Sequence, residues 1–440
     1  MNKRAGVLVG GAATALVAAA IVLPQANASP ERPEPQRTFS AASAARAASS
    51  LKAELGADRT AGWYLDAGKG RLVMNVLSAD DVGKVEAAGA VARVVRNSTR
   101  ELQAATRALR ETAAIPGTAW SIDPRTNQVS VVADRTVTGA ELAALTAAVE
   151  RVGGGGMARI KRSAGEFRRY HGGGGVGGAA TDAGGSEGSG GSVGSGGSEG
   201  SGGSGGTGGP GASGGSGGGS AGQGDGSTGA LPVGGSAIFG GTARCSLGFN
   251  VTVQGAPAFL TAGHCGKASP NWTADQAGSQ PLGTVAEARF PASDFALVAY
   301  DDPAARPASA VDLRNGGTQR ITRAAEAAVG MRVQRSGSTT GLSDGTVTGL
   351  DATVNYGNGD IVDGLIQTDV CAEPGDSGGP MFSGDAAVGL TSGGSGDCTQ
   401  GGETFFQPVT TALEATGAQI GAGDGGSDAG GDGAERPAGR

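Results

Sequence analysis

The chain has 440 residues, of which 86 are glycine, and its formal net charge is −7. This length allows two or three domains. The acidic balance argues against a nucleic-acid partner, because proteins that bind nucleic acids concentrate Lys and Arg to replace the counterions of the phosphates.

The N-terminus has the pattern of an export signal. Lys3 and Arg4 precede a charge-free apolar run, Ala5–Leu23, and a small-residue site ends at Ala28. This order is typical of a secretory signal peptide that is removed. An uncleaved membrane anchor is the alternative, since the run is near the lower length limit for a membrane span. The small-residue site favours cleavage, so we expect a secreted protein with a signal peptide at residues 1–28 and no stable membrane association.

The next two segments differ in composition. Residues 29–50 are rich in Ala, Ser, Pro and Arg and are predicted to be a disordered lead-in. Residues 51–170 have mixed apolar periodicities that predict a small α/β domain without cysteine. Its predicted elements are strands at Ala61–Asp66 and Arg71–Ser78, a short helix after them, a helix at Thr99–Thr112, a hairpin around the turn Pro124–Asn127, and a helix that follows Thr138.

Residues 171–230 consist mainly of Gly and Ser. Such a stretch cannot bury enough apolar surface to fold, so it predicts a flexible linker. Residues 421–440 have a similar composition and predict a disordered tail. Between them, residues 231–420 contain many short apolar runs separated by turn residues, which is typical of an all-β domain. One closing helix is predicted at residues 409–419.

The four cysteines all lie in this β-rich region. An even number of cysteines in an exported chain predicts two disulfides, and three connectivities exist. The sequential pairing, Cys245–Cys265 and Cys371–Cys398, closes two short loops and is preferred; each bond would stabilise the fold by about 3 kcal/mol. A zinc site is disfavoured because no CxxC spacing occurs and the chain has only two histidines. We expect no metal and no organic cofactor.

Three segments of the same region carry groups suited to nucleophilic catalysis. His264 lies in LTAGHC, Asp294 in SDFALV and Ser377 in GDSGGP. A serine hydroxyl needs a base to remove its proton, and imidazole suits this role when a buried carboxylate fixes its tautomer. Each residue also has an ordinary explanation: a packed histidine, a solvated aspartate, and a chance motif in a glycine-rich chain. Their order within the one cysteine-bearing region favours catalysis.

The segments CSLGFNV, FLTAGHC, SDFALV, CAEPGDSGGP, GLTSGGSGDC and TFFQPV resemble bacterial secreted chymotrypsin-like serine proteases of the streptogrisin and α-lytic protease group. The resemblance covers most of residues 231–420. It implies two antiparallel six-stranded β-barrels with the active site between them, followed by a C-terminal helix. It also implies an endopeptidase that acts through an acyl-enzyme, with His264 as general base, Asp294 as its orienting partner and Ser377 as nucleophile. We expect a monomer that acts on protein or peptide substrates.

The resemblance further implies the surroundings of the nucleophile. The backbone N–H groups of Gly375 and Ser377 would form the oxyanion hole, and glycine at the first position tolerates the backbone shape that this needs. Ser392 would support the carboxylate of the triad. Together with Gly393 and Gly394 it would pair with the substrate backbone as an added strand.

One predicted ion pair lies beside the nucleophile. Arg335 matches the position whose side chain pairs, in this group, with the aspartate before the nucleophile, here Asp376. The alternative for this arginine is a solvated surface side chain. The resemblance also implies the sequential disulfide pairing that loop length favours.

The sequence allows three hypotheses about which residue the enzyme prefers before the scissile bond. Glutamate-specific relatives carry a histidine where Thr391 stands, which disfavours acidic residues. The similarity around Ala372, Glu373 and Pro374 points to large apolar or aromatic residues. Asp369 leaves a preference for Lys and Arg open, because trypsin-type enzymes carry their selecting aspartate at this distance from a cysteine.

Residues 61–169 resemble the pro-region of the same group, through AGWYLD and PGTAWSIDPRTNQVSVVAD. This implies a folding assistant that acts as a transient inhibitor. In relatives the pro-region runs almost directly into the protease, whereas here the linker intervenes, so the sequence leaves open whether its end reaches the active site. The mature N-terminus is predicted near Leu231. The alternatives are a catalytically inactive secreted binding or surface protein, and an N-terminal domain retained as a substrate-binding module.

Overall fold

A computed structural model describes residues 37–56, 58–153, 156–170, 172–173 and 231–421. The described residues from Thr38 onward belong to one compact unit. The predicted signal peptide, nearly all of the predicted linker and all but the first residue of the predicted tail lie outside the described residues. Among the residues described, no helix has the length and apolar character needed to cross a membrane.

The N-terminal domain is a small α/β structure. Its elements in chain order are α1 (Ala41–Leu55), β1 (Thr60–Asp66), β2 (Arg71–Val76), a 3-10 helix (Ala79–Asp81), α2 (Val82–Ala87), β3 (Val91–Val94), α3 (Thr99–Thr112), β4 (Thr118–Asp123), β5 (Gln128–Ala133), α4 (Gly139–Gly153), β6 (Ala158–Arg162) and β7 (Arg168–Arg169). Strands β1 to β3 form one sheet, and β4 to β6 belong to another. The predicted helix at Thr99–Thr112 is confirmed, and a capping box between Ser98 and Glu101 fixes its start.

The predicted disordered lead-in is wrong for residues 41–50, which lie in helix α1. The Ser40 side chain accepts a hydrogen bond from the Ser43 amide and caps the helix. Alanine has the highest helix propensity, so an Ala-rich composition supports a helix wherever one face can be buried. The helix buries such a face through residues spaced three and four apart: Ala44, Ala48, Leu51 and Leu55.

The C-terminal domain is mostly β. Its elements, with the short strand that precedes it, are β8 (Gly172–Gly173), β9 (Ala237–Gly240), β10 (Ala243–Ser246), β11 (Asn250–Val253), β12 (Ala256–Thr261), α5 (Gly263–Ala268), β13 (Asn271–Thr273), β14 (Pro281–Arg289), β15 (Phe295–Tyr300), β16 (Ala310–Asp312), β17 (Thr318–Arg320), β18 (Arg323–Ala324), β19 (Arg332–Gly337), β20 (Gly341–Asn355), β21 (Ile361–Thr368), β22 (Pro380–Ser383), β23 (Ala386–Asp397), β24 (Gly401–Pro408) and α6 (Val409–Thr416). The predicted closing helix is therefore present.

Two large sheets organise this domain. In the first, the strand order is β11-β12-β15-β14-β13-β9-β10. In the second, the strand order is β19-β22-β23-β24-β21-β20, and the first strand of this row, β19, also pairs with the last, β20. The predicted all-β domain is confirmed, and the second sheet has the six-strand ladder that the resemblance implies. A six-stranded barrel in the first sheet stays a prediction.

The second sheet continues into the N-terminal domain. Strand β4 pairs antiparallel with β20, with Trp120 opposite Thr353, and β5 and β6 extend the row. A buried hydrogen bond of 2.6 Å joins the Ser121 hydroxyl to Gln367. The Phe167 ring packs edge-on against Phe405 at 5.6 Å between centroids. These contacts hold the end of the N-terminal domain against strands that lead to the predicted catalytic residues.

Two disulfides connect the predicted pairs, Cys245 with Cys265 and Cys371 with Cys398. The first joins β10 to helix α5, beside His264. The second closes a loop that contains Ser377. Both therefore restrain segments on either side of the site.

Candidate active site

Three predicted side chains from distant segments form one hydrogen-bonded row. His264 lies in α5, Asp294 directly precedes β15, and Ser377 lies in the loop before β22. The Nε2 atom of His264 is 2.8 Å from the Ser377 Oγ. Its Nδ1 atom is 2.9 Å from the Oδ2 of Asp294. The histidine is 4% exposed and the other two are fully buried, so water competes little for these hydrogen bonds.

The carboxylate of Asp294 accepts two further hydrogen bonds. The His264 amide donates to Oδ1 over 2.9 Å, and the Ser392 hydroxyl donates to Oδ2 over 2.6 Å. Burial by itself raises the pKa of Asp294, but the adjacent histidine and these hydrogen bonds outweigh burial and hold that pKa below its ordinary value. The carboxylate is thus kept ionised and aimed at the imidazole ring.

Gln407 also holds Asp294 in place, although no motif in the sequence marks it for this role. Its Oε1 accepts the backbone N–H of Asp294 over 2.7 Å, and both residues are buried. In the sequence this glutamine is only one letter of TFFQPV. A side-chain amide that accepts a backbone N–H needs no particular spacing from its partner, so no sequence pattern predicts it.

Glycines shape the loop that carries Ser377. Gly375 has φ +103°, and a Cβ there would lie 2.2 Å from the Thr339 Oγ1. Gly378 has φ +81°, and a Cβ there would lie 2.0 Å from the Thr261 Oγ1. Neither position can carry a side chain without displacing its neighbours, so this loop shape depends on glycine.

A carbonyl from the N-terminal domain occupies the space in front of this loop. The oxygen of Tyr170 accepts the Gly375 N–H over 2.5 Å and the Ser377 N–H over 3.3 Å. The Tyr170 N–H in turn donates to the Ser392 carbonyl over 3.4 Å. The two N–H groups predicted as oxyanion donors therefore converge on one carbonyl oxygen, beside the hydroxyl of Ser377.

The residues before this tyrosine lie as an added strand. Strand β7 pairs antiparallel with β23, with Arg169 opposite Gly393 and Arg168 opposite Gly394. A Cβ on Gly393 would lie 2.3 Å from the Arg168 carbonyl oxygen. One on Gly394 would lie 2.2 Å from the Glu403 carbonyl oxygen of strand β24 and 2.6 Å from the Tyr170 Oη. The two glycines leave room for the added strand and for its aromatic side chain.

The side chain of Tyr170 is 3% exposed. Burial is the main cause that raises the pKa of its hydroxyl far above the ordinary value. The cavity beside Gly394 thus encloses a complete aromatic ring. On the other side of the site, Gly172 and Gly173 pair antiparallel with Arg244 and Ala243 of β10, so the chain has strand pairings on both sides of the Tyr170 carbonyl.

The structure does not bring Asp369 to this cavity. The residue is exposed, and its Oδ1 accepts the Thr346 N–H over 2.5 Å. A Cβ on Gly345 would lie 2.6 Å from the same oxygen. The carboxylate faces strand β20 at the surface, so the sequence-based alternative that it selects Lys or Arg has no geometric support.

Arg335 and Asp376 meet in a fully buried ion pair. Their Nη1 and Oδ2 atoms are 3.2 Å apart, and neither side chain is exposed. The aspartate also accepts the N–H groups of Thr339 and Glu373 over 2.9 and 3.0 Å. Burial lowers the pKa of the arginine and the facing carboxylate opposes this change. The pair fixes the residue before the nucleophile.

The remaining predicted substrate-binding residues frame the nucleophile loop. The Thr391 hydroxyl donates to the Gly379 carbonyl over 3.0 Å. Glu373 accepts the Cys398 N–H over 3.1 Å, and the Pro374 carbonyl accepts the Thr339 hydroxyl over 2.8 Å. Ala372 is buried. These contacts support the walls of the cavity.

Family comparisons agree with this arrangement. Residues 234–416 match the family model described as Trypsin. Residues 32–95 match the α-lytic protease pro N-terminal model, and residues 97–153 match the α-lytic protease prodomain. The molecule is a chymotrypsin-like serine endopeptidase made with a pro-region, and the lead-in predicted at residues 29–50 largely belongs to that pro-region.

Similarity to individual proteins identifies the family within this class of serine endopeptidases. The chain is 45% identical over 422 residues to Streptogrisin-D of Streptomyces griseus, covering 96% of this chain and 91% of the relative. It is 34% identical over 413 residues to Serine protease 1 of Streptomyces fradiae, covering 93% and 97%. A shorter match, 47% over 188 residues, covers 43% of this chain and 98% of Glutamyl endopeptidase 2 of Streptomyces griseus. The chain belongs to the streptogrisin family of serine proteases.

Proposed function

We propose that this chain is a secreted zymogen whose protease domain cleaves peptide bonds after large apolar or aromatic residues through an acyl-enzyme. One observation carries the proposal: the Tyr170 carbonyl oxygen accepts the N–H groups of Gly375 and Ser377, while the Ser377 hydroxyl lies 2.8 Å from His264. Export rests on the signal pattern of residues 1–28.

The geometry supports a role for each group. The Ser377 Oγ attacks the substrate carbonyl carbon and its proton passes to the His264 Nε2. Asp294 orients the ring and stabilises the imidazolium. The two loop N–H groups stabilise the oxyanion, and each such donor contributes about 2.7–4 kcal/mol. His264 then protonates the leaving amine as the C–N bond breaks. Water, deprotonated by the same ring, hydrolyses the acyl-enzyme and frees the serine.

The residue preference rests on what the cavity encloses. A tyrosine ring fills it, and Gly394 leaves the room that the ring needs. The exposed carboxylate of Asp369 is engaged by Thr346, which disfavours a preference for Lys and Arg. A preference like that named for Glutamyl endopeptidase 2 is disfavoured too, since Thr391 stands where glutamate-specific relatives carry a histidine.

The same contacts support self-inhibition and self-processing. Residues 168–170 occupy the substrate strand, so the pro-region blocks the active site in spite of the linker. The bond that follows Tyr170 has its carbonyl at the loop N–H groups, and we expect the first self-cleavage there. This leaves the linker on the protease. The mature N-terminus near Leu231 stays a prediction and would require a second cut.

The test compares the secreted wild-type chain with Ser377→Ala. A fluorophosphonate should label the processed wild-type protease and should not label the variant. N-terminal sequencing of the first processed form should find the wild-type cut after Tyr170, and the secreted variant should keep its pro-region joined to the protease. Intact mass also decides whether Trp63 and Trp120 stay in the mature protein, as a retained binding module requires. A processed wild-type chain that resists labelling would show that the protein is an inactive binding protein.

A further inference from the structure

We propose that Asp360 and Phe290 form a subsite that selects a basic side chain at the second residue before the scissile bond. The proposal rests on the proposed function, because it takes Tyr170 as the first residue before that bond. It concerns a different side chain, and therefore a preference separate from the aromatic one.

Arg169 occupies this subsite in the structure. Its Nη2 atom lies 3.3 Å from the Oδ2 of Asp360, with side-chain exposures of 32% and 19%. Since both groups are partly shielded from water, their attraction is screened less than that of a pair on the open surface. An arginine here is met by an opposite charge, whereas a glutamate would face a like charge.

Phe290 forms the second wall. The guanidinium carbon of Arg169 lies 5.4 Å from the centroid of its ring, which is within the range of a cation–π contact. The same ring meets the imidazole of His264 edge-on at 5.7 Å between centroids. The cation therefore sits beside the catalytic row, where a bound substrate must pass.

Backbone hydrogen bonds hold the two walls together without help from Arg169. The Ala292 N–H donates to the Ile361 carbonyl, and the Asp363 N–H donates to the Ala292 carbonyl, each over 2.9 Å. The segment that carries Asp360 is closed by a bond from its own N–H to the Gly357 carbonyl, also over 2.9 Å. The subsite thus belongs to the protease and persists when the pro-region leaves.

The strand register transfers this contact to substrates. Arg169 pairs opposite Gly393 and Arg168 opposite Gly394, while the Tyr170 carbonyl lies at the loop N–H groups. Any peptide that binds with this pairing presents its second side chain to Asp360 and Phe290. The preference that the pro-region satisfies is then also a preference among substrates.

The experiment uses processed enzyme and chromogenic peptides that end in Tyr and differ only at the second position: Arg, Met or Glu. Met matches the length of the arginine stem without its charge. We expect kcat/KM to be about five- to tenfold higher for Arg than for Met, and lower again for Glu. Asp360→Asn should remove most of the Arg advantage. Asp385→Asn is the matched control, because it removes the same charge from a carboxylate that faces Arg323 and Thr322 of the protease instead.

Two further measurements keep the outcome decisive. High salt should reduce the Arg advantage of the wild-type enzyme. This measurement does not depend on whether a variant folds. Calorimetric binding of the matching product peptides, which end in a free tyrosine carboxylate, measures the same preference without turnover. Equal binding and equal turnover of the Arg and Met peptides, or an Arg advantage that survives Asp360→Asn unchanged, would overturn the subsite. A binding preference without any turnover would instead count against the proposed protease activity.

Discussion

In the proposed mechanism, the orientation of a single ring decides whether Ser377 can lose its proton. His264 presents Nε2 to the hydroxyl because Asp294 binds both its Nδ1 atom and its backbone N–H. The aspartate is in turn held by Ser392 and by Gln407, which accepts its N–H. Three buried residues thus support one imidazole, and a carboxylate in such surroundings also contributes to the stability of the fold.

Protonation of Asp294 should therefore destabilise the folded protein. Its folded-state pKa lies below the ordinary value of 3.8, so its stabilising contribution is complete above that value and is lost as the pH falls through the folded-state pKa. In the non-cleaving Ser377→Ala precursor, urea unfolding should show a free energy of unfolding that falls on acidification. Adding Asp294→Asn should flatten part of this fall. An unchanged acid profile in the double variant would contradict the argument.

At this scale the sequence predicted which side chains lie together in the site, but not where every nearby carboxylate points. The order of His264, Asp294 and Ser377 could be read from three motifs, because catalysis demands those side chains. Asp369 could not be assigned, since its distance from Cys371 does not determine whether the carboxylate enters the cavity or meets Thr346 at the surface. The strand geometry decides this point.

Strand β23 carries several of the residues that we propose to determine specificity. Its consecutive glycines accept the added strand β7 on their backbone and leave open the volume filled by Tyr170. The same strand carries Ser392 one residue earlier, so substrate pairing and support of Asp294 come from one rigid segment. A side chain added to this strand should therefore change selectivity before it changes the chemistry.

Gly394→Val tests this role. The new side chain would start 2.2 Å from the Glu403 carbonyl oxygen of the neighbouring strand β24 and 2.6 Å from the Tyr170 Oη, so that strand must shift and the ring loses its room. We expect kcat/KM for substrates with Tyr before the scissile bond to fall by about tenfold to a few hundredfold. Substrates with Ala at that position should lose much less. Labelling of Ser377 by a fluorophosphonate should persist, and this result would indicate that the triad is intact. Gly317→Ala, on a turn away from the site, is the control and should leave both activities unchanged. An equal loss for both substrates would point to misfolding instead of a filled cavity.

The sequence predicts a helix correctly where apolar residues recur with helical spacing. It fails where the composition fits both a helix and a disordered segment. Helix α3 has an apolar face and a capping box, and its bounds could be predicted from the sequence. Helix α1 begins in an Ala- and Ser-rich stretch whose composition also fits a disordered segment. Burial against the sheet of β1 and β2, through residues such as Leu51, makes it a helix. The sequence carries no separate sign of that partner.

On the scale of the whole molecule, one sheet spans the pro-region and the protease. Strand β20 pairs with β19 and β21 inside the protease and with β4 of the pro-region. The composition of residues 171–230 left open whether the pro-region reaches the active site, because a Gly- and Ser-rich sequence specifies no fixed separation between the segments that it joins. The contacts that hold the pro-region at the active site are the shared sheet, the Phe167–Phe405 packing, strand β7 and the backbone hydrogen bonds of Tyr170.

This shared sheet should make the pro-region necessary for folding. The protease sheets join strands that are far apart in sequence, and such pairings form slowly because loop closure precedes the contacts that reward it. Strand β4 offers β20 a partner from a domain rich in local helices and hairpins, which can form first. Deleting residues 38–170 while keeping the signal peptide should lower secreted activity by more than about tenfold, and co-expression of the pro-region as a separate chain should restore it. The deleted protein should also appear as insoluble or degraded chain on an immunoblot. Full activity without the pro-region would mean that the protease strands pair unaided, and the β4–β20 contact would then serve inhibition alone.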